Sequence, residues 1–401
     1  MFYILLTYLF YPLLWPLMAI KKRHGLRRVL VIQRTQIGDL IYSTGIFREI
    51  KKKYPEVRLT ALIKPVTKCL LENNPYVDEV ICLDEKRYTG IIGLARFSAL
   101  LYRGHYDAVL ALNPRVQYAI APVWALVPKR ISLIPDFGNL SAVSDTSRSA
   151  RHRRLPFMPR YYGVNYALAM RLHTHVERHV AGNLLIATYM RMLRPLGIYT
   201  EDLSKDVYKS PDADEAVDEF FKGRAVGCKT LVGIAVTSGK KMKELGPAKI
   251  ARIADGLTSR DDAGVVFIGG GGDREKADEA LSLSMSREKI IDSTGRFRLN
   301  QLPALLERLS LFIGVDSGIT YMADALNVPI VSIAGPAEMN DQRPIGRDVV
   351  IIRKKLKCAP CVHPFRAPFD CATGTRECIE SVSPEEVLAA AERLLKHGQG
   401  L

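Results

Sequence analysis

The stretch VLVIQRTQIGDLIYSTGIFREIKKKYPEVRLTALI, residues 29–63, carries the pattern that decides the fold. It opens with an apolar β-rich run, VLVIQ (29–33), turns tightly through Gly38, and continues as the helical pattern LIYSTGIFREIKKKYP. It closes with a second apolar run, RLTALI (58–63). Apolar runs alternating with amphipathic ones are the mark of a parallel sheet covered on both faces. The alternation continues with a helix near 66–73, then VDEVICL (77–83) and YDAVLAL (106–112). A basic, irregular stretch over 140–165 precedes a helical run expected at 176–196.

A second series starts at KTLVGIAV (229–236), read as a strand, with a helix in PAKIARIADGLTS. GVVFIGGGGD is a strand entering a glycine turn, a helix follows over about 274–286, and KIIDST (289–294) is a short strand. LNQLPALLERL reads as a helix, SLFIGVD as a strand, SGITYMADAL as a helix and VPIVSIAG as a strand. The fold class is therefore α/β, with two Rossmann-like domains. The expected divisions are 1–28, a hydrophobic membrane-associating segment with a basic flank; 29–200, the first domain; 201–355, the second; and 356–401, a Cys-rich segment and C-terminal helix. That last helix, SPEEVLAAAERLLKH, has Ser383 as N-cap, Pro384 at its first position and Glu386 to complete a capping box.

Composition narrows the class. The 401 residues are 48% hydrophobic and 25% charged, which excludes a disordered chain, a collagenous one and a small disulfide scaffold. Only one uncharged apolar stretch is long enough to span a bilayer, so a polytopic membrane protein is excluded too. Lys and Arg number 57 against 42 Asp and Glu, a net charge of +15 that favours partners carrying phosphates. No helix-turn-helix, RNP or zinc-finger pattern accompanies that charge, so nucleic acid is not the expected partner.

Residues 1–20, MFYILLTYLFYPLLWPLMAI, carry no charge, and Lys21, Lys22, Arg23, Arg27 and Arg28 follow. No basic region precedes the segment and no small-residue cleavage site follows it, which argues against a cleaved signal peptide. Pro12 and Pro16 and the many aromatics argue against a straight spanning helix. We expect a helix lying in or dipping into the inner leaflet, with its basic flank on anionic lipid and the body on the cytoplasmic face. The alternative is a hydrophobic helix packed on the protein itself.

Seven cysteines are present. Cys69, Cys82 and Cys228 read as core residues. Cys358, Cys361, Cys371 and Cys378 cluster with spacing C-x2-C-x9-C-x6-C. An odd total and this clustering argue against a secreted disulfide framework. Four soft ligands in a short irregular segment suit a structural zinc ion; an iron–sulfur cluster, free thiols or a disulfide are the alternatives.

In open α/β folds ligands bind at the carboxyl ends of strands, so strand-to-helix turns are where chemistry is sought. In QRTQIGDL (33–40), Asp39 is either a helix-terminal cap or a general base. In GVDSGITYMADAL (314–326), Asp316, Ser317 and Gly318 open a helix whose bare N–H groups suit a phosphate, or form an ordinary cap. In TSGKKMKELGP (237–247), Lys240, Lys241 and Lys243 suit a diphosphate, or form a solvated loop. In FIGGGGDREKADE (267–279), four glycines suit a backbone pressed on a flat ligand, with Asp273 or Glu275 on a ribose; a plain turn is the alternative.

Together these residues resemble glycosyltransferase family 9, the ADP-heptose:lipopolysaccharide heptosyltransferases, over roughly 28–395. The resemblance rests on Gly38-Asp39; on Lys243-Glu244-Leu245-Gly246 with Pro247, where the family has Lys-x-Trp-Pro; and on Gly272-Asp273-Arg274-Glu275. It rests above all on Asp316-Ser317-Gly318-Ile319-Thr320-Tyr321 with Gly335-Pro336, where the family has Asp-Ser-Gly-x-x-His. Tyr321 and Leu245 mark a diverged member. The resemblance implies a GT-B fold, two Rossmann-like domains facing across a cleft, and an inverting, metal-independent sugar transfer with no catalytic cofactor. Asp39 would be the catalytic base. Thr237, Ser238, Lys243, Gly272, Asp273, Glu275, Asp316, Ser317, Gly318 and Tyr321 would bind a nucleotide-sugar donor, ADP-heptose favoured. Apart from the resemblance, Arg151, Arg153 and Arg154 in the basic stretch suit the phosphates of a lipid-linked saccharide acceptor such as lipopolysaccharide core, with Lys64 counted as a further acceptor residue, or else add to membrane-surface attraction. A different nucleotide sugar, a nucleotide-sugar epimerase, or a non-catalytic sugar-nucleotide binder on the same fold are the alternatives.

Overall fold

The computed structural model describes residues 2–22, 25–83, 85–136, 164–224, 228–260, 262–368 and 370–398. The chain divides into two compact units, Met1–Ser204 and Lys205–Leu401. Each contains one six-stranded, all-parallel sheet.

In the first unit the strands are β1 (Arg28–Gln33), β2 (Arg58–Ile63), β3 (Glu79–Cys82), β4 (Ala108–Ala111), β5 (Lys129–Asp136) and β6 (His175–Val180), in spatial order β3-β2-β1-β4-β5-β6. β1 and β4 lie at the centre and are buried almost end to end, which is why VLVIQ and AVLA show no polar alternation. Helices Ile37–Tyr42 and Gly45–Lys53 make the first crossover. The apolar run at 66–73 condenses into a short 3-10 turn, Pro65–Leu70, opened by Pro65 at its first position.

The helical run expected at 176–196 is wrong in its first half. Residues 175–180 form β6, paired in register with β5 from Ile131↔His175 to Asp136↔Val180, and the helical part is Leu185–Arg191 followed by a 3-10 turn, Arg194–Leu196. HVERHV places His175, Glu177 and His179 on one face and Val176, Arg178 and Val180 on the other. The ladder that β5 offers outweighs the weak helical spacing. β5, KRISLIPD, escapes the sequence reading because Lys129, Arg130 and Ser132 interrupt its apolar pattern, and the helix Val116–Trp124 because it is a short, nearly all-apolar run.

In the second unit the strands are β7 (Thr230–Ala235), β8 (Ala263–Ile268), β9 (Ile290–Asp292), β10 (Leu311–Val315), β11 (Ile330–Ile333) and β12 (Val349–Ile352), in order β12-β11-β10-β7-β8-β9. Counted from its first strand, this is the same order as in the first unit, and both are the doubly wound arrangement. The order reverses between β1 and β4 in one sheet and between β7 and β10 in the other, the switch points beside which ligands bind in doubly wound folds. The helix Pro384–Gly398 carries the expected capping box: Ser383 N–H donates to Glu386 Oε2 at 2.9 Å and Glu386 N–H to Ser383 Oγ at 3.2 Å. A buried ion pair, Lys205 Nζ to Asp324 Oδ2 at 2.7 Å, ties the start of this unit to the helix Gly318–Ala325. Asp324 also accepts N–H groups from Ile345 and Gly346, so its charge is satisfied despite burial.

Candidate functional site

In the first unit the switch point lies between the ends of β1 and β4. β1 ends at Gln33, whose amide donates to the Asp39 carbonyl at 3.1 Å and to the Tyr189 hydroxyl at 3.4 Å. The next residue, Arg34, donates its backbone N–H to Asn113 Oδ1 at 2.8 Å, and Asn113 stands just beyond β4. One side chain thus fastens the two loops at the switch point. The buried Arg34 guanidinium donates to the Leu83 carbonyl at 3.1 Å and to the Tyr118 hydroxyl at 3.4 Å.

Asp39 sits half-buried in the first turn of the helix Ile37–Tyr42, and its Oδ2 accepts the Gln36 N–H at 3.3 Å. The capping role is therefore real, but its contact is long and engages one oxygen. Asp39 also acts on Tyr189: burial, and then the negative charge of Asp39, push that phenol well above the ordinary tyrosine range. Tyr189 is thereby held as a neutral hydroxyl beside the carboxylate. Gln33, Asn113 and Tyr189 were not singled out from the sequence. Asn113 alone left a local signal, a polar side chain directly after a buried strand.

Lys64 leaves the same sheet edge, because β2 pairs with β1 through Gln33↔Ile63 and Lys64 is the next residue. It caps the turn Pro65–Leu70 with its backbone and is half-buried. Arg151, Arg153 and Arg154 lie outside the described residues.

In the second unit the candidate donor residues gather where β7 and β10 part. Lys243, in the 3-10 turn Lys241–Lys243 beyond β7, forms an ion pair with Asp316 Oδ2 at the end of β10. Tyr321 donates its hydroxyl to the other Asp316 oxygen, Oδ1, at 2.6 Å and lies 3.3 Å from the Gln342 carbonyl. Asp316 is thus gripped on both oxygens. Ser317 is the extended N-cap of the helix Gly318–Ala325, its hydroxyl 3.2 Å from Thr320 Oγ1. The helix start and the Lys243 ammonium offer N–H donors at one edge of the sheet, with Asp316 offsetting part of the positive charge, a setting that can take an anion. Leu245, where the family has Trp, is buried in the core of this unit.

The other candidates are placed less directly. The Ser238 hydroxyl closes its own loop, donating to the Lys240 carbonyl at 2.9 Å and accepting the Lys240 N–H at 3.1 Å; Thr237 is half-buried beside it. Asp273 Oδ2 accepts the Gly270 N–H at 2.7 Å, so it caps the glycine turn. Gly271 is pressed against Gly295, where an added Cβ would meet Gly271 Cα at 2.7 Å; this glycine serves backbone packing. A Cβ at Gly272 would meet nothing within 4 Å, and Glu275 is exposed in the following helix turn.

The structural zinc expected at Cys358, Cys361, Cys371 and Cys378 is not supported. The four thiols are near one another: Cys361 is pushed up to about 11, first by burial and then by the other three. But Cys378 packs into the hydrophobic core, and Cys371 Sγ meets Thr373 Oγ1 at 3.3 Å and accepts the Arg376 N–H at 3.4 Å. Cys358 is exposed. Tetrahedral binding needs four thiolates converging on one point, and among the described residues no group of three or more His, Cys, Asp or Glu side chains is placed to hold a metal ion. His363, inside the same segment, instead pairs with buried Asp341 at 3.2 Å.

Known proteins share this architecture. Lipopolysaccharide heptosyltransferase 3 of Escherichia coli (strain K12) is 22% identical over 372 residues, which are 89% of this chain and 95% of that protein. The glycosyl transferase family 9 structure from Veillonella parvula superposes with a TM-score of 0.69 at 23% identity, covering 92% of this chain and 98% of that one. The E. coli ADP-heptose lps heptosyltransferase II structure gives 0.67 at 17% identity, covering 93% and 99%. At these identities the superpositions speak for the fold. The sequence profile of Glycosyltransferase family 9 (heptosyltransferase) matches residues 94–367, more than half the chain and including the Lys243, Asp316 and Tyr321 cluster. With the doubly wound sheets and that match together, this chain belongs to glycosyltransferase family 9, the heptosyltransferase family, and is a glycosyltransferase.

Proposed function

We propose that this glycosyltransferase acts in lipopolysaccharide biosynthesis, moving heptose from ADP-heptose onto a lipopolysaccharide-core or other lipid-linked saccharide at the cytoplasmic face of the inner membrane. The names of its relatives support the pathway, the sugar and the donor. The first unit takes the acceptor and the second the donor, the division of labour of a GT-B enzyme.

The observation that carries the reading is the pair of switch points: one presents a carboxylate, Asp39, and the other Lys243, Asp316 and the Ser317-Gly318 helix start. Asp39 takes the proton from the acceptor hydroxyl as its oxygen bonds to the anomeric carbon. The bond from that carbon to the diphosphate oxygen breaks on the opposite face, so the configuration inverts and ADP leaves. Negative charge grows on the diphosphate during this step, and pre-placed donors act most strongly there. Lys243 has three N–H donors. Asp316 holds the ammonium in place, and the remaining donor capacity meets the phosphate together with the Ser317 hydroxyl and the Gly318 N–H. These donors come from the protein, and the proposed step uses no metal ion.

Calorimetric titration with ADP, UDP, GDP and ADP-heptose tests the donor assignment. ADP and ADP-heptose should bind most tightly, and Lys243→Ala and Asp316→Ala should each abolish that binding. Preference for UDP or GDP would keep the transferase and discard the heptose. No binding by any nucleotide would sink the donor site.

A further inference from the structure

The N-terminal helix Phe2–Lys22 carries no charge before Lys21, yet the structure divides it lengthwise. Ile4, Thr7, Tyr11, Leu14 and Met18 recur at alternating spacings of three and four, and this stripe faces the protein. Ile4, Thr7 and Met18 are buried, and Tyr11 and Leu14 pack beside them against helices Val116–Trp124 and Val164–Met170.

Polar contacts fasten the same side along its whole length. The Trp124 indole donates to Thr7 Oγ1 at 2.9 Å, and the Tyr8 hydroxyl to the Leu168 carbonyl at 2.8 Å. Buried Arg130 donates to the Tyr11 hydroxyl at 3.0 Å, lies 5.8 Å from the Tyr11 ring centre, and meets Met18 Sδ at 3.2 Å. Lys21 donates to the Tyr106 carbonyl at 2.8 Å. A helix spanning a bilayer must be wrapped by lipid for about 30 Å. Drawing this one out would take the Tyr11 hydroxyl from the buried Arg130 guanidinium, leaving it the Leu172 and Val127 carbonyls, and would take the Thr7 hydroxyl from the Trp124 indole, a cost in unsatisfied donors.

The opposite side carries Phe2, Leu5, Leu9, Leu13, Leu17 and Ile20, all at least half exposed. A line of large apolar residues of this kind marks an interaction surface. Exposed Ile91 and Ile92 begin the helix Gly90–Gly104, whose Leu94 packs in the same cluster, and exposed Val164 begins a helix that the N-terminal one touches. Cations border the surface: exposed Arg171 lies near enough to act on the Tyr8 phenol, and exposed Arg27 follows the helix. Exposed Trp15 adds an amphipathic ring suited to a headgroup boundary. Apolar face, basic border and interfacial aromatic together match an anionic lipid surface better than a second copy of a chain with a net charge of +15.

We propose that the helix Phe2–Lys22 is an in-plane membrane anchor, clamped to the first unit by its Ile4–Met18 stripe and inserting only its Phe2–Ile20 face into an anionic phospholipid bilayer. This deepens the membrane location proposed above and rests on it for the lipid-borne acceptor. Lying flat, the anchor fixes the first unit at the bilayer surface without a spanning segment.

The test uses the full chain and vesicles of phosphatidylcholine with and without phosphatidylglycerol. The protein should float with the anionic vesicles, and Leu9→Glu and Leu13→Glu should each weaken binding by about tenfold or more, given the apolar area each leucine loses. Both variants should keep the thermal midpoint and donor binding of the parent. Depth decides the geometry. In a Trp15→Phe background, with the signal of the remaining Trp124 subtracted using that background alone, tryptophans introduced at Leu5, Leu13 and Ile20 should be quenched equally by lipids brominated at one shallow depth. Deep quenching at Leu13 with shallow quenching at the ends would mean a spanning helix and overturn the inference. So would flotation unaffected by the glutamates, or self-association abolished by them without any flotation. Transfer to a soluble acceptor without flotation would refute the anchor and leave the enzyme reading. Flotation without any transfer would do the reverse.

Discussion

Replacing Asp39 with Asn separates the two roles that the structure combines in one side chain. The capping contact is the Gln36 N–H to Oδ2 at 3.3 Å, exposed at the helix start. An amide oxygen can accept that bond as a carboxylate does, and Asn is as good a cap as Asp. Folding stability in Asp39→Asn should therefore change by less than about 0.5 kcal/mol, and in Asp39→Ala by about 0.5–1 kcal/mol, the low end for a lost cap with so long a contact. Catalysis should respond on another scale. A general base contributes about 10²–10⁴-fold, or about 3–5 kcal/mol of barrier, and an amide cannot take the proton. Both variants should thus lose kcat by about 10²–10⁴-fold while their affinity for ADP is unchanged, since the donor residues belong to the other unit. Urea unfolding, calorimetry with ADP, and a coupled assay of ADP release read the three quantities. If Asp39→Asn keeps kcat within about threefold of the parent, far from the range for a lost base, Asp39 is a cap and the proposed mechanism fails.

Three further outcomes follow from named contacts. Asp324→Asn should cost about 3–5 kcal/mol in urea unfolding, because it strands the buried Lys205 ammonium, and adding Lys205→Met should recover much of that loss; a cost under about 1 kcal/mol would show that the pair is not holding the second unit together. His173, fully buried, is lowered to about 3, chiefly by burial and then by Arg130, so it is neutral in the fold and must take up a proton on unfolding below its ordinary 6.5. Its contribution is complete above pH 6.5 and declines as pH falls toward 3, by about 1.4 kcal/mol per pH unit; His173→Phe should flatten the stability-against-pH curve by that slope, and an unchanged slope would refute the assignment. Tyr321→Phe removes a 2.6 Å bond to Asp316 Oδ1 and should cost about 1.5–3 kcal/mol, the range for a hydrogen bond to a charged group. It should also weaken ADP binding by releasing the carboxylate that positions Lys243; undiminished ADP affinity would mean that Tyr321 holds only the fold.

Local periodicity and local chemistry account for the parts of this fold that are legible along the chain. The buried runs VLVIQ, TLVGIA and LFIGV announce central parallel strands, because side chains covered on both faces leave no alternation to read. The Ser383–Glu386 capping box depends on residues three apart, so it was legible too. The turns at Asp39 and Asp316 were visible as polar breaks after buried strands. What surrounds them was not, because their partners are remote: Tyr189 reaches Gln33 across 156 positions and Lys243 reaches Asp316 across 73. Strand β6 failed as a local reading for the same reason, since pairing with β5 and not its own spacing makes it a strand. The cysteines show the converse error: four ligand-type side chains at suggestive spacing, one of them claimed by the core. The N-terminal helix was legible as apolar, but an all-apolar segment has no face to read. Only the tertiary structure, by setting Thr7, Tyr11 and Met18 against Trp124 and Arg130, decided which side the protein keeps and which it leaves outside.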